Sequence, residues 1–574
     1  MIRRCTLIIF LSLTIFSGSA QSSLKDYEGN WEGTLIDSHL FHFDLRLEHL
    51  SPSSYKLSLT SPITSINHTF STTDPNRISH SFDEDTQFDF ILNDQGTEMT
   101  GFIKSGILMY HIQLTKSEDS TFIGTWNPFM VEDLKSRSIF LSVEIHENGN
   151  FAFYPFFGDQ RFTGTWCADF TQQEEVILFR DFKTGLKFSA KLLADEIDLR
   201  ILLAESTIAT TRLTRSKTDW KFGIPRSASQ AIKQPRQIEH GWPTTTLKKA
   251  GIIAPPLNRL IDSIDAKLLV NTHSVLIAKQ GKLAFEAYFD GYHHNLPHDQ
   301  RSASKSIASA MTGIAIDDKL IEHEDQLLFD LLPASSERIK DPRQAKIRIK
   351  DLLTMSSGID AIDFGIDRRS AASEGSYQSS NDWLQTVLKA PMINEPGTHA
   401  FYGSANPFLL GVCLSARLSE PLEWYMDRKL LAPLGITNYI IQTENTGTTP
   451  YFGGGMYLTP RDMLKFGQLY LNKGSWKGKQ LISEQWVEDS FKQYLQLENT
   501  NDKNEYGYLW WHKTYQVGNK KVESIEARGA GGQYIFIIPS LESVIVITSG
   551  NFRNGKFQQP ETIVEQYILP AIVK

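Results

Sequence analysis

Ser302-Ala303-Ser304-Lys305 sets a hydroxyl and an amine three residues apart. On a helix that spacing turns both side chains to one side. An amine pressed against apolar surroundings loses proton affinity and can take the proton of a neighbouring hydroxyl, which makes Ser302 a candidate nucleophile for acyl transfer and Lys305 its base. The same S-x-x-K spacing begins at Ser22 and Ser53, where the neighbouring residues offer neither a helix nor a pocket. What sets Ser302 apart is the sequel: Ile307, Ala308, Met311, Ile314 and Ala315 recur at helical spacing and predict a helix with a strongly apolar face.

Other chemistries find little support. No G-x-S-x-G elbow, H-E-x-x-H zinc motif or phosphate-binding glycine loop occurs. His39, His42 and Asp44 look metal-like, but they fall on the polar side of an alternating segment and read as a solvated strand face. His293, His294, His298 and Asp299 read as an exposed polar loop just before the nucleophile helix. No metal and no organic cofactor is expected. Net charge is -8 among 22% charged residues, so a phosphate-backbone binder is disfavoured and no nucleic-acid partner is expected. Three cysteines in 574 residues cannot make a disulfide framework.

The elements that must position these residues change character along the chain. Arg3 and Arg4, the apolar run Leu7 to Phe16 and Gly18-Ser19-Ala20 have the form of a cleavable secretory leader, residues 1–20. The expectation is an exported protein, periplasmic or extracellular, with no transmembrane segment. Residues 21–215 alternate with period two: Phe41, Phe43, Leu45 and Leu47 against His42, Asp44, Arg46 and Glu48, then Tyr55–Leu59, Phe88–Leu92, Ile139–Ile145, Val176–Phe179 and Ile197–Leu203. An all-β, barrel- or sandwich-like domain is predicted there. Trp31, Trp126 and Trp166 each follow a glycine-bearing turn, a faint internal echo. Residues 216–243, with Pro225, Pro235 and no periodicity, read as a linker. Residues 244–574 mix a hairpin at Val275 to Phe289, helical patterns from Ser302 to about Trp486, and strands at Tyr534–Ile538 and Val544–Thr548. A sheet built from both ends of a segment with helices inserted between makes this half α+β.

Several segments resemble, in order, the penicillin-recognising serine hydrolases, the β-lactamase-related superfamily of class C β-lactamases, D-Ala-D-Ala carboxypeptidases, esterases and aminohexanoate-oligomer hydrolases. Arg301 to Ala310 is similar to the nucleophile helix, Asp351-Leu352-Leu353-Thr354-Met355-Ser356-Ser357-Gly358 to the loop that follows it, and Phe401-Tyr402-Gly403-Ser404-Ala405-Asn406 to the tyrosine motif. Gly453 to Asp462 and Tyr506 to Trp511 also fit, so the resemblance covers roughly Lys249 to Ile572. It implies a β-lactamase-like fold and proton transfer by Tyr402. A phenol beside the amine could share one proton between activating Ser302 and protonating the leaving group.

Two positions depart from the family pattern. Ser404 stands where the family's Tyr-x-Asn has its asparagine, which would weaken or rearrange contact with a substrate amide, and Asn406 lies two residues on. In place of Lys-Thr-Gly or His-Thr-Gly stands Glu526-Ala527-Arg528-Gly529-Ala530-Gly531-Gly532, which puts Ala527, or with a slip Arg528, where the cation belongs. Ser404, Arg528, Gly529, Ala530 and Gly531 are the expected substrate-binding positions, with the N–H of Ala530 or Gly531 joining that of Ser302 in an oxyanion hole. The expected reaction is cleavage of an ester, amide or lactam bond through a Ser302 acyl-enzyme, on a small ester or amide or a cell-wall peptide-like molecule; efficient β-lactamase action is not expected. The alternative is an exported binding or sensing protein that keeps the fold and turns over slowly or not at all.

Overall fold

Phe43, Leu45 and Leu47 are buried in the strand Phe43–Ser51 while Asp44 and Arg46 face solvent, the alternation of a strand with one covered face. The computed structural model describes residues 25–573 except 35–41, 52, 75, 130–137, 146–150, 158–159, 162–166, 174–175, 194, 218–233, 238–241, 335, 338–340 and 553. The expected leader, His39, Trp166 and most of the expected linker lie outside the described residues. Between Gly29 and Arg215 the regular elements described are all strands, and those expected near Tyr55, Phe88, Ile139, Val176 and Ile197 are each present. They form an antiparallel nine-stranded sheet and most of an eleven-stranded one. Trp31 of the first sheet and Trp126 of the second are buried in the same apolar cluster. His42 lies beside Asp44 at 3.2 Å on the solvent side.

The α+β half is built on an eight-stranded sheet whose order joins the hairpin Thr272–Lys279 and Lys282–Tyr288 to the late strands Ser543–Ser549, Gln533–Ile538 and Lys520–Gly529. The hairpin turns through Gln280 at φ 52° and Gly281 at φ 69°, the left-handed pair that suits the strand twist. Both middle strands are buried along their whole length. Ile535, Ile537, Val544 and Val546 enter the core under the helical insert, and Tyr534, Phe536, Ile545 and Ile547 enter the opposite core with the helix Ala254–Asp265 and the C-terminal helices. Continuous apolar runs are what a sheet covered on both faces requires.

The two halves share more than a covalent link. The strand Tyr439–Gln442, in a stretch expected to be helical, pairs antiparallel with Leu108–Lys116, with Ile440 opposite Tyr110 and Ile441 opposite Met109. Four residues are too few for any period, and Tyr-Ile-Ile suits a pleated surface buried on both faces. The eleven-stranded sheet continues through Met456–Leu458 to His298–Asp299, three residues ahead of Ser302. Ile440 and Tyr457 lie in the N-terminal core, and Phe102 and Met109 in the core of the α+β half.

Candidate active site

Ser302 does not sit on the long helix itself. It belongs to the 3-10 turn Arg301–Ser304, and the helix Lys305–Asp317 begins at the lysine. A 3-10 turn has three residues per turn, so positions i and i+3 eclipse, and the observed Nζ–Oγ distance between Lys305 and Ser302 is 2.8 Å. The turn is entered through Arg301 at φ 49°, a left-handed conformation that is costly for a side chain with a Cβ. Asp299 holds it: one carboxylate oxygen accepts the Arg301 N–H at 3.0 Å and the other lies 3.3 Å from its Nε.

Lys305 is 1% exposed, whereas Ser302 is only partly covered and stays open to solvent. The ammonium donates to Ser302 Oγ, to Ser404 Oγ at 2.9 Å and to the Gly453 carbonyl. Burial pushes its pKa below the ordinary lysine value; the charges of Glu374 and Asp363 oppose that shift and Arg301 reinforces it. Tyr402 is buried beside the pair: Lys305 Nζ stands 5.2 Å from its ring centroid, and the Ser302 side chain partly offsets the rise that burial gives the phenol's pKa. Burial holds the phenol protonated by raising its pKa. Asn499 clamps the tyrosine backbone, accepting its N–H at 2.8 Å and donating to its carbonyl at 3.2 Å. Ser302 and Lys305, on one continuous stretch, and Tyr402, from a second, are therefore brought together.

Ser404 was expected to face substrate. Instead its hydroxyl is 1% exposed, accepts from Lys305 and donates to Asp363 Oδ2 at 2.7 Å. Asn406 does not replace the missing amide: it is buried on the helix Ala405–Arg417, with its Nδ2 on the Gly403 carbonyl at 3.2 Å.

Gly529 ends its strand against the nucleophile turn, where an added Cβ would collide with the Gln300 carbonyl. Ala527, two residues back, shares that face and joins the core around Tyr402. Arg528, an expected substrate-binding position, is on the other face. Its guanidinium is 9% exposed, donates from Nε to Glu526 at 2.7 Å, lies 3.4 Å from Glu561 and covers the Trp511 ring at 4.9 Å. Trp511 in turn lies 5.2 Å from Tyr402. Ala530 is exposed at the strand end beside the turn, and Gly531 follows at φ 86°.

His298 is a correction to the exposed-loop reading. It is 4% exposed, its Nε2 lies 2.8 Å from His273 Nδ1, and burial lowers its pKa to about 4. His294 is exposed and His293 half-buried. Among the described residues no cluster of His, Cys, Asp or Glu could hold a metal ion, and no helix is long and apolar enough to cross a membrane.

Sequence reasoning missed the groups behind the site. Asp363 and Glu374 are the main ones, and their signal was two carboxyl groups in a stretch where Ile359, Ala361 and Ile362 are buried. A second omission is the N-terminal half: Ile107, Phe182 and Lys183 line a recess of about 20 Å³ together with Arg301, Glu374 and Gly454. Lys183 Nζ stands 3.5 Å from Asp299 Oδ2.

A serine hydroxyl paired with a buried amine that lies beside a buried phenol is the kind of centre that serves acyl transfer in serine hydrolases. The family model described as Beta-lactamase matches residues 257–566, more than half of the chain, and the protein belongs to that family. The chain is 24% identical over 299 residues to the 6-aminohexanoate-dimer hydrolase of Paenarthrobacter ureafaciens, covering 48% of this chain and 71% of that protein. It is 26% identical over 130 residues to an Escherichia coli (strain K12) protein described as "Putative D-alanyl-D-alanine carboxypeptidase", spanning 22% of this chain and 30% of that one. Among solved structures it is similar to the simvastatin synthase of Aspergillus terreus, at 18% identity and TM-score 0.43 over 55% of this chain and 98% of the other.

Proposed function

We propose that the protein is an exported serine hydrolase that cleaves a small ester or amide through an acyl-enzyme on Ser302. The observation that carries this reading is one oxygen, Ser302 Oγ, with the buried Lys305 amine at 2.8 Å and the buried Tyr402 ring beside that amine, its centroid 5.2 Å from Nζ. In its neutral form, favoured by burial, Lys305 takes the Ser302 proton as Oγ attacks the substrate carbonyl. Tyr402 gives its hydroxyl proton to the leaving oxygen or nitrogen and recovers one from Lys305. The N–H groups of Ser302 and of Ala530 or Gly531 stabilise the oxyanion. Water then enters by the same route in reverse, and the acid leaves.

Substrate class follows from the charge beside the nucleophile. Ala527, on the strand face next to the turn, offers no cation to a β-lactam or peptide carboxylate, which favours esters and amides over lactams. The dimer hydrolase among the matched proteins is named for an amide-bonded dimer, in keeping with that choice. Residues 1–20 support export, with cleavage after Ala20.

A fluorophosphonate probe tests the reading, with the adduct located by mass spectrometry. Labelling at Ser302 and turnover of a p-nitrophenyl ester are expected. Ser302→Ala abolishes both, by at least ~1,000-fold, and Lys305→Ala and Tyr402→Phe lower turnover by orders of magnitude without unfolding. Near-normal turnover by Ser302→Ala defeats the mechanism. A permanent adduct with labelled penicillin and no turnover identifies a sensor instead.

A further inference from the structure

We infer that Asp363 is a positioning residue for the proton transfer: it fixes the Ser404 hydroxyl so that the oxygen's lone pair, and not its hydrogen, faces Lys305. This rests on the reading of Ser302, Lys305 and Tyr402 given above.

A hydroxyl has one hydrogen and two lone pairs and can turn either way toward an amine. Ser404 Oγ lies 2.9 Å from Lys305 Nζ and 2.7 Å from Asp363 Oδ2. An ionised carboxylate only accepts, so the Ser404 hydrogen goes to Asp363 and a lone pair is left for the amine. The carboxylate is itself pinned. Its Oδ2 also accepts the Ser404 N–H at 2.8 Å, its Oδ1 accepts the Glu374 N–H at 2.7 Å, and the Asp363 N–H donates to the Tyr402 carbonyl at 3.1 Å. One residue thereby ties together the segments that carry the phenol, the serine and the second carboxyl group.

The arrangement matters at the moment Lys305 carries the Ser302 proton. A lone pair directed at the ammonium stabilises it, whereas a hydroxyl hydrogen in that place would repel it. The charged and titratable groups around the amine are Arg301, Asp363, Glu374 and Tyr402, and beyond Glu374 lies Tyr451, whose hydroxyl donates to it at 2.7 Å and also meets Tyr377. Burial and the charge of Glu374 raise Asp363 to about 6, so the carboxylate is ionised above that pH.

The test uses the full chain, p-nitrophenyl ester turnover across pH, and fluorophosphonate labelling. Asp363→Asn removes the charge and sets an amide N–H2 against one of the three donors. It is expected to lower kcat about 10- to 100-fold with KM within about twofold, and to move the acid limb of kcat/KM to lower pH, because Lys305 loses a negative neighbour. Ser404→Ala lowers kcat similarly, and the double variant falls no further than the worse single one, since Asp363 acts through Ser404. Additive losses, or an acid limb unmoved in Asp363→Asn, overturn the inference. If Asp363→Asn does not fold, as its thermal transition reports, Ser404→Ala decides: wild-type kcat there overturns it equally. A wild type that fails to label at Ser302 defeats the hydrolase reading and this inference with it. Labelling in the wild type with Asp363→Asn indistinguishable from it defeats the inference alone.

Discussion

The two halves of the chain bury their strands in opposite ways. Phe43–Ser51 and Glu196–Leu203 cover one face each and leave alternate residues half or fully exposed, while Gln533–Ile538 and Ser543–Ser549 are covered on both. Exposed ion pairs occur in both halves, and the contrast lies between one open pair and one buried set. Arg46 and Asp119 of the N-terminal half pair in the open, with side chains 47% and 54% exposed, whereas Arg528, Glu526 and Glu561 of the α+β half meet at 9% exposure or less. One half is a skin of strands around a core. The other builds its polar groups into the interior, which is where a low dielectric makes an amine and a phenol useful.

The seam between them is the exception, and it predicts the largest effect. Tyr439–Gln442 would be left as an unpaired edge without Leu108–Lys116, and Ile440 and Tyr457 would lose the core they enter. Exposed apolar edges aggregate. A chain starting at residue 244 is therefore expected to be insoluble or inactive, and the full chain to unfold in one calorimetric transition with no separate N-terminal step. Two well-separated transitions, or a soluble and active truncation, would make the halves independent modules.

Legibility in the sequence divides along the same line. Period-two alternation exposes a one-face strand directly, so Phe43, Leu45 and Leu47 predicted their own burial. The helix that begins at Lys305 was legible from its apolar spacing, and the nearness of Tyr402 to that lysine from a resemblance of segments. Other features depend on residues distant in sequence. Tyr439–Gln442 is a strand because of a partner more than 300 residues away, and Ser404 turns from substrate because Asp363 is there to receive its hydrogen. The face that Arg528 takes was not legible for a related reason: it depends on the glycine beside it, and Gly529 is set by the backbone of Gln300.

Charge burial gives the next effect in size. Arg528→Ala leaves Glu526 and Glu561 facing each other with Lys513 as the remaining cation, and breaking such a buried set costs about 3–5 kcal/mol. Arg46→Ala, at an exposed pair, is expected to leave the denaturant midpoint where it was. Urea titration of both variants checks the contrast. Equal shifts would erase the distinction between the halves, and a change in acidic-over-neutral ester preference in Arg528→Ala without loss of stability would return that residue to the substrate site.

The smallest effect is a slope, and it concerns Lys183, which the N-terminal half places beside the candidate site. Lys183 is 2% exposed, and burial lowers its pKa to about 8, against which Asp299 pulls upward. Its ordinary value is 10.5, so between about 8 and 10.5 the unfolded chain holds a proton there that the folded chain has released. Stability rises with pH wherever the unfolded state binds more protons, so this group makes the protein more stable as pH climbs through that window. Lys183→Met removes the contribution, and its stability curve above pH 8 should run flatter than that of the wild type. Parallel curves would mean that Lys183 titrates as an ordinary surface lysine, and that the N-terminal half touches the site without burying charge in it.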